Sequence, residues 1–252
     1  MNGFEKHGID HLSASSINLW TNAPDVWVAS YLFKKRTPFG AAAYRGIVIE
    51  DAVVDVLTGK KDVKSATTSA VSRFNQQFGI QAMTDEKVGK EAELIEPMIS
   101  MALEQLVDHG KPQFPKDGKQ EKISITAKFD DWSIPIIGYL DLVFPDVGMV
   151  IDLKTTTRVP SKMSAEHQLQ RAIYQAAKGN QVVKFLYVSG KKTALLEDGD
   201  VSDVLRRAKV IIARLERFLS VCDKETARQI VPLTNNFYWS GGEAVREELY
   251  GV

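Results

Sequence analysis

In the run Val150-Ile151-Asp152-Leu153-Lys154, an acid and an ammonium stand two residues apart in an otherwise apolar segment. Side chains two apart on a β-strand point the same way, so Asp152 and Lys154 share one face while Ile151 and Leu153 take the other. Asp and Lys are rarely buried in a strand unless paired, and together they suggest a site at the rim of a sheet. Asp141, on the preceding strand and across a tight turn, can face the same space. Such a trio offers oxygen ligands to a hard cation and a positive charge to a developing negative one. A structural ion pair between Asp152 and Lys154, with Asp141 as a solvated edge residue, accounts for these three positions taken alone at least as well.

The elements that must position them follow from periodicity. Lys122 to Phe129 alternates as a strand, with Ile123 and Ile125 opposed to Ser124 and Thr126, and Asp130-Asp131 makes a turn. Two further strands are expected over Ile134 to Phe144 and Met149 to Thr155, joined by the turn Pro145-Asp146-Val147-Gly148. A helix follows over about Ala165 to Lys178, stopped by Gly179-Asn180, and Val182 to Val188 is an apolar run of strand length. Upstream, Ser13 to Leu57 is mainly helical, with Trp20, Trp27, Tyr31 and Phe33 as core anchors and a break around Thr37, Pro38 and Gly40. A second helix there spans about Ala42 to Leu57, with Ile47, Val48, Val54 and Leu57 on its apolar face. Two more helices are expected near Ala66 to Phe78 and Glu86 to His109, the latter kinked at Pro97, before a loop containing Pro112, Pro115 and Gly118. A packing helix over about Val201 to Cys222 aligns Leu205, Ala208, Ile212, Leu215 and Leu219, and the tail from Pro232, with Phe237, Tyr238 and Trp239, lies against the body.

The expectation is an α/β fold whose core runs helix, three strands, helix, strand, with added N-terminal and C-terminal helices. One domain over 1–252 is expected, with its core at about 42–57 and 121–190, a helical insertion at about 60–110, and a C-terminal helix and tail at about 201–252. Composition is ordinary for a globular chain, 44% hydrophobic and 25% charged. Lys+Arg and Asp+Glu are both 32, so any nucleic-acid surface must be a local patch. The single cysteine, Cys222, excludes a disulfide, a thiolate zinc site or a cysteine-held iron-sulfur cluster within one chain. No apolar run approaches the roughly 18 residues of a membrane span, so a cytoplasmic protein is expected.

The weighing of the acid-lysine trio changes with the full set of runs: Gly138-Tyr139-Leu140-Asp141, then Asp152-Leu153-Lys154-Thr155, then Gln170-Arg171-Ala172-Ile173-Tyr174 on the next helix. This resembles the RecB-like exonuclease branch of the PD-(D/E)XK superfamily, whose pattern is G-x-x-D, D-x-K-T and Q-x-x-x-Y. Leu12 to Ile17 through Pro24 and Trp27 looks like that family's N-terminal helix, and Gly46-Ile47-Val48-Ile49-Glu50 looks like its G-x-x-x-(H/E) element. The resemblance covers about Leu12 to Val188. Ala23 precedes Pro24, where cluster-bearing relatives have cysteine, so no iron-sulfur cluster is expected, and Glu50 stands where many relatives have histidine.

What the resemblance implies is a metal-dependent nuclease. Glu50, Asp141, Asp152 and the backbone carbonyl of Leu153 would supply the oxygen ligands that Mg2+ or Mn2+ prefers, and Lys154 would orient the attacking water and stabilise negative charge. Gln170 and Tyr174, with Gln168 as an alternative for the glutamine, would position the substrate backbone. Lys34, Lys35, Arg36, Arg45 and Arg158 are candidate phosphate contacts and also ordinary surface charges. The implied activity is exonucleolytic processing of DNA ends for recombination, repair or phage DNA processing, in a bacterial or phage-infected cell. A single-strand annealing or recombination protein is a candidate partner, and an oligomeric ring or clamp would explain processivity. Helices before Lys111 would roof the cleft. The alternatives are a structure-specific or restriction-type endonuclease on the same core and a non-catalytic DNA-end-binding module.

Overall fold

The computed structural model describes residues 2–115, 120–124 and 132–252. The alternation of Met149–Thr155 forms β4, which sits inside a four-stranded sheet of order β3-β4-β5-β6. Its antiparallel neighbour is β3 (Leu142–Phe144), with Leu142 opposite Ile151. Its parallel neighbour is β5 (Val182–Val188), with Asp152 opposite Phe185. The parallel pairing requires a crossover, and α8 (Ala165–Lys178) supplies it. Ser164 caps that helix by accepting from His167 N at 3.3 Å, and Gly179 at φ 57° ends it. β6 (Thr193–Leu196) adds antiparallel to β5, while β1 (Glu121–Ser124) and β2 (Ile137–Leu140) form a separate two-stranded ribbon.

Period two then sorts the two cores. Ile151, Leu153, Leu186 and Val188 face α4 (Ala41–Leu57), α5 (Val63–Thr84) and α7 (Ile95–Leu106), which bury Val48, Val53, Phe74 and Met98. Val150, Val183, Phe185 and Tyr187 face the opposite side, where α2 (Ala14–Asn22), α3 (Pro24–Tyr31), α8 and α9 (Val201–Val221) bury Ile17, Trp27, Ile173 and Ile212. The expected α/β architecture is present, with the second of the three expected strands split into β2 and β3 ahead of α8 and with β6 added after β5.

Several boundaries differ from expectation. The strand expected over Ile134 to Phe144 breaks at Asp141, because Leu140 is buried on one side of the sheet and Leu142 on the other. The helix expected over Glu86 to His109 is two, α6 (Glu86–Glu93) and α7, which meet at Leu94. Pro97 falls in the first turn of α7, where a missing N–H breaks no helical hydrogen bond. β6 was not anticipated, since Thr193–Leu196 is short and half-buried without alternation. Gly118, the Asp130-Asp131 turn and the far end of the first expected strand lie outside the described residues.

The tail packs as expected. Trp239 and Leu249 are buried with Ala23, Val26 and Ala29 of the α2–α3 region. Cys222 is buried and unpaired. Among the described residues no helix is long and apolar enough to cross a membrane.

Candidate active site

Asp141 occupies the break between β2 and β3, and its Oδ2 accepts from the Leu153 backbone N–H at 3.0 Å, which fixes it against β4. Asp152 and Lys154 project from the same face of β4 and form an ion pair; Asp152 is buried and Lys154 half-buried. From α8, Gln170 Nε2 donates to Asp152 Oδ1 at 3.0 Å and to the Tyr174 hydroxyl at 2.8 Å. Gly138 makes room for that helix: a Cβ there would stand 2.5 Å from Tyr174 Cε1. Glu50 comes from α4, and Gln120 Nε2 spans two carboxylates, 2.8 Å from Glu50 Oε1 and 2.7 Å from Asp141 Oδ1. Glu50, Asp141, Asp152, Lys154, Gln170 and Tyr174 thereby line one cleft of about 680 Å³, together with Leu153.

Three carboxylates in a buried space resist ionising together. Burial pushes the Asp141 carboxyl well above the usual carboxylate range, and the Asp152 and Glu50 charges push it further. Burial and the Asp152 charge raise Glu50 to about 7, against the pull of Lys154. Asp152 is raised by burial as well, and its pairing with Lys154 offsets only part of this. For Lys154, burial disfavours the ammonium, yet Asp152, Asp141 and Glu50 outweigh it and hold the group above its ordinary value. Among the described residues, three carboxylates surround the one Lys154 ammonium, the electrostatic condition for capturing a further cation.

A family model described as the PD-(D/E)XK nuclease superfamily matches residues 11–234. The chain belongs to that superfamily. Membership implies nuclease activity and a nucleic-acid substrate. No curated protein matches the chain. A solved structure titled "Crystal structure of SSO0001" is similar at 16% identity and a TM-score of 0.34, covering 66% of this chain and 82% of that one.

PD-(D/E)XK nucleases typically use divalent cations such as Mg2+, and the residues present fit one. Of the two Asp152 oxygens, Oδ2 meets the Lys154 ammonium and Oδ1 the Gln170 amide, so the carboxylate is held in the cleft with its remaining lone pairs open to a cation. The donors on offer are carboxylate oxygens and a backbone carbonyl, the set preferred by hard cations. Among the described residues no three His, Cys, Asp or Glu side chains are already drawn into a coordination shell. Instead, the Gln120 amide bridges Glu50 and Asp141 through hydrogen bonds.

The structure distributes the other sequence candidates unevenly. Arg45 is buried, its guanidinium paired with Glu91 and 3.3 Å from Thr155 Oγ1, so it braces α4 against α6 and β4 rather than facing a phosphate. Lys35 pairs with Glu248, while Lys34 and Arg36 line a neighbouring recess that shares His11 with the cleft. Arg158 is exposed on the loop after β4. Gln168 turns back to Met163 O at 3.2 Å, so Gln170 is the glutamine in the cleft. Nothing in the sequence pointed to Gln120, which stands in an irregular segment without periodicity. His167 also lines the cleft: its Nδ1 lies 2.6 Å from the Tyr187 hydroxyl, and burial with the Lys154 charge lowers its pKa to about 4, so the ring is neutral at pH 7. The expected helical roof is only partly met, since α2 lines the cleft through Ala14, Ser15 and Asn18 while α5 and α7 pack on the other face of the sheet.

Proposed function

We propose that this chain is a single-domain, divalent-cation-dependent deoxyribonuclease of the RecB-like branch that hydrolyses phosphodiester bonds at DNA ends. The observation that carries the reading is the convergence of Glu50, Asp141, Asp152 and Lys154 from α4, the β2–β3 break and β4 into one cleft. Glu50, Asp141, Asp152 and the Leu153 carbonyl would hold Mg2+ or Mn2+. A cation bound there supplies Lewis-acid stabilisation and lowers the pKa of water toward neutrality. Lys154 orients the attacking water and balances charge on the phosphorus-bound oxygens. Gln170 holds the Asp152 carboxylate in place, and Tyr174 orders Gln170.

The preference for ends rests on the motif combination G-x-x-D, D-x-K-T and Q-x-x-x-Y. It is supported by the narrowing of the cleft by elements outside the sheet, since Ser15 and Asn18 of α2 and Tyr238 of the tail line it together with the carboxylates. An end-processing enzyme of this kind would serve recombination, repair or phage DNA processing beside an annealing or recombination protein. The test compares covalently closed circular duplex with the same molecule linearised, in Mg2+, by nucleotide release. Release from the linear form alone supports the reading. Cutting of the closed circle at discrete positions assigns a structure-specific or restriction-type endonuclease, and binding of ends without any hydrolysis assigns an end-binding module.

A further inference from the structure

The cleft does not stop at the carboxylates. A second recess of about 490 Å³ adjoins it, sharing Glu166, His167 and Tyr238 and lined also by Asn22, Ser164 and Phe237. Phe237 and Tyr238 are stacked with ring centroids 4.1 Å apart and planes 29° from parallel, and Phe237 is 76% exposed. Exposure alone would not set Phe237 apart from Phe39, Ile80 or Met83; its stacking on Tyr238 and its place in the lining of this recess do.

The chemistry of the recess favours an uncharged group over phosphate. Among its described lining residues there is no lysine or arginine, and the imidazole of His167 is neutral at pH 7. The charge present is Glu166, kept ionised by hydrogen bonds at the start of α8 that include the Ser164 hydroxyl, so it already answers the positive end of that helix. Glu166 Oε1 accepts from Asn22 Nδ2 at 3.3 Å. A flat, uncharged group with N–H donors on its edge suits these walls: its face against the rings and an exocyclic amine toward the carboxylate.

We propose that Phe237 and Tyr238 form a base-stacking platform that takes an unpaired nucleobase from the strand whose backbone lies at the carboxylates. The inference rests on the nuclease reading. The platform is held ready by Asp25, which accepts from Thr234 N at 2.7 Å and Trp239 Nε1 at 2.9 Å, on either side of the aromatic pair. Little ordering then remains to be done when a base arrives.

The test is binding without hydrolysis, in EDTA, of a fluorescent single-stranded oligonucleotide and of a base-free deoxyribose-phosphate oligomer of the same length. Phe237→Ala should weaken binding of the oligonucleotide about 5- to 150-fold, the range for one stacked base, and leave the base-free oligomer unaffected. Phe237→Trp should retain wild-type affinity. The dependence of binding on salt should be the same in all three proteins, because no phosphate contact has been removed. Equal losses on both oligomers, or no loss on either, overturn the platform. Failure of the wild-type protein to bind the oligonucleotide more tightly than the base-free oligomer overturns the platform alone, because the nuclease reading falls only if linear duplex is not cleaved in Mg2+.

Discussion

Gln170 Nε2 lies 3.0 Å from Asp152 Oδ1 and 2.8 Å from the Tyr174 hydroxyl, so one amide joins the helical motif to the strand motif. The Q-x-x-x-Y spacing therefore has a geometric meaning: residues four apart on α8 share a face, and that face meets β4. Removing the amide leaves Asp152 Oδ1 without its donor, and Lys154 alone then holds the carboxylate. Gln170→Ala should cost roughly 10- to 100-fold in turnover or cation affinity, as loss of a partner behind a ligand does, with little change in melting temperature. Gln168→Ala, whose side chain turns to Met163 O, should leave turnover unchanged. If the two variants behave alike, Gln170 is an ordinary helix position.

Asp152→Ala should abolish cation-dependent cleavage while the protein still folds, since Lys154 retains attraction from Asp141 and Glu50. Lys154→Ala should cost at least about a hundredfold in rate, in the range for deletion of one charge-stabilising group. Single-turnover assays on purified, circular-dichroism-checked variants decide both. A loss of tenfold or less for Lys154→Ala would give it a structural role as the partner of Asp152.

These residues were legible because a strand and a helix translate spacing directly into facing. Met149–Thr155, Ala165–Lys178 and Val182–Val188 carry uninterrupted patterns, and the structure places all three where the pattern put them. Asp141 is different. It sits where alternation slips, with Leu140 and Leu142 packed on opposite sides of the sheet, and a single period drawn through Ile134 to Phe144 cannot show such a slip. Gln120 was hidden because an irregular segment has no period to read, and Arg45 because its burial depends on Glu91, 46 residues away. Tertiary partners of this kind leave no local trace.

The Glu50 carboxyl titrates near 7, chiefly because of burial and then Asp152, against an ordinary 4.5. A folded-state pKa raised above the unfolded one means that the native state binds more protons between those values, so stability falls as pH rises from about 4.5 to about 7. The difference corresponds to about 3 kcal/mol above pH 7. In EDTA, the melting temperature of the wild-type protein should drop by several degrees from pH 5 to pH 8, and Glu50→Gln should flatten that slope. Mg2+ should restore the wild-type protein at pH 8, because a ligand of the native state stabilises it. The same variant should need more Mg2+ for half-maximal activity. Parallel slopes for the two proteins, or an unchanged Mg2+ titration, would place Glu50 outside the cation site.

Asp25 is fully buried, yet no sequence pattern around it suggested a role. Its Oδ1 accepts from Val26 N at 3.0 Å and from the Thr234 hydroxyl at 2.7 Å, and its Oδ2 accepts from Thr234 N at 2.7 Å and Trp239 Nε1 at 2.9 Å. One carboxylate at the start of α3 therefore ties down a segment more than two hundred residues later in the chain. Asp25→Ala leaves the buried Trp239 donor and the half-buried Thr234 donors without their acceptor, and a buried donor stranded in this way costs about 1–3 kcal/mol. The melting temperature should fall by roughly 5–15 °C, given about 2–4 °C per kcal/mol for a chain of this size. Asp25→Asn, which keeps one acceptor oxygen, should fall by less. Brief proteolysis should then cut Asp25→Ala first near Leu233 to Gly242, where Trp239 has lost its anchor, before the sheet opens. A melting temperature within about 2 °C of wild type, with no new cleavage in that segment, would mean that the apolar contacts of Trp239 and Leu249 hold the tail without Asp25.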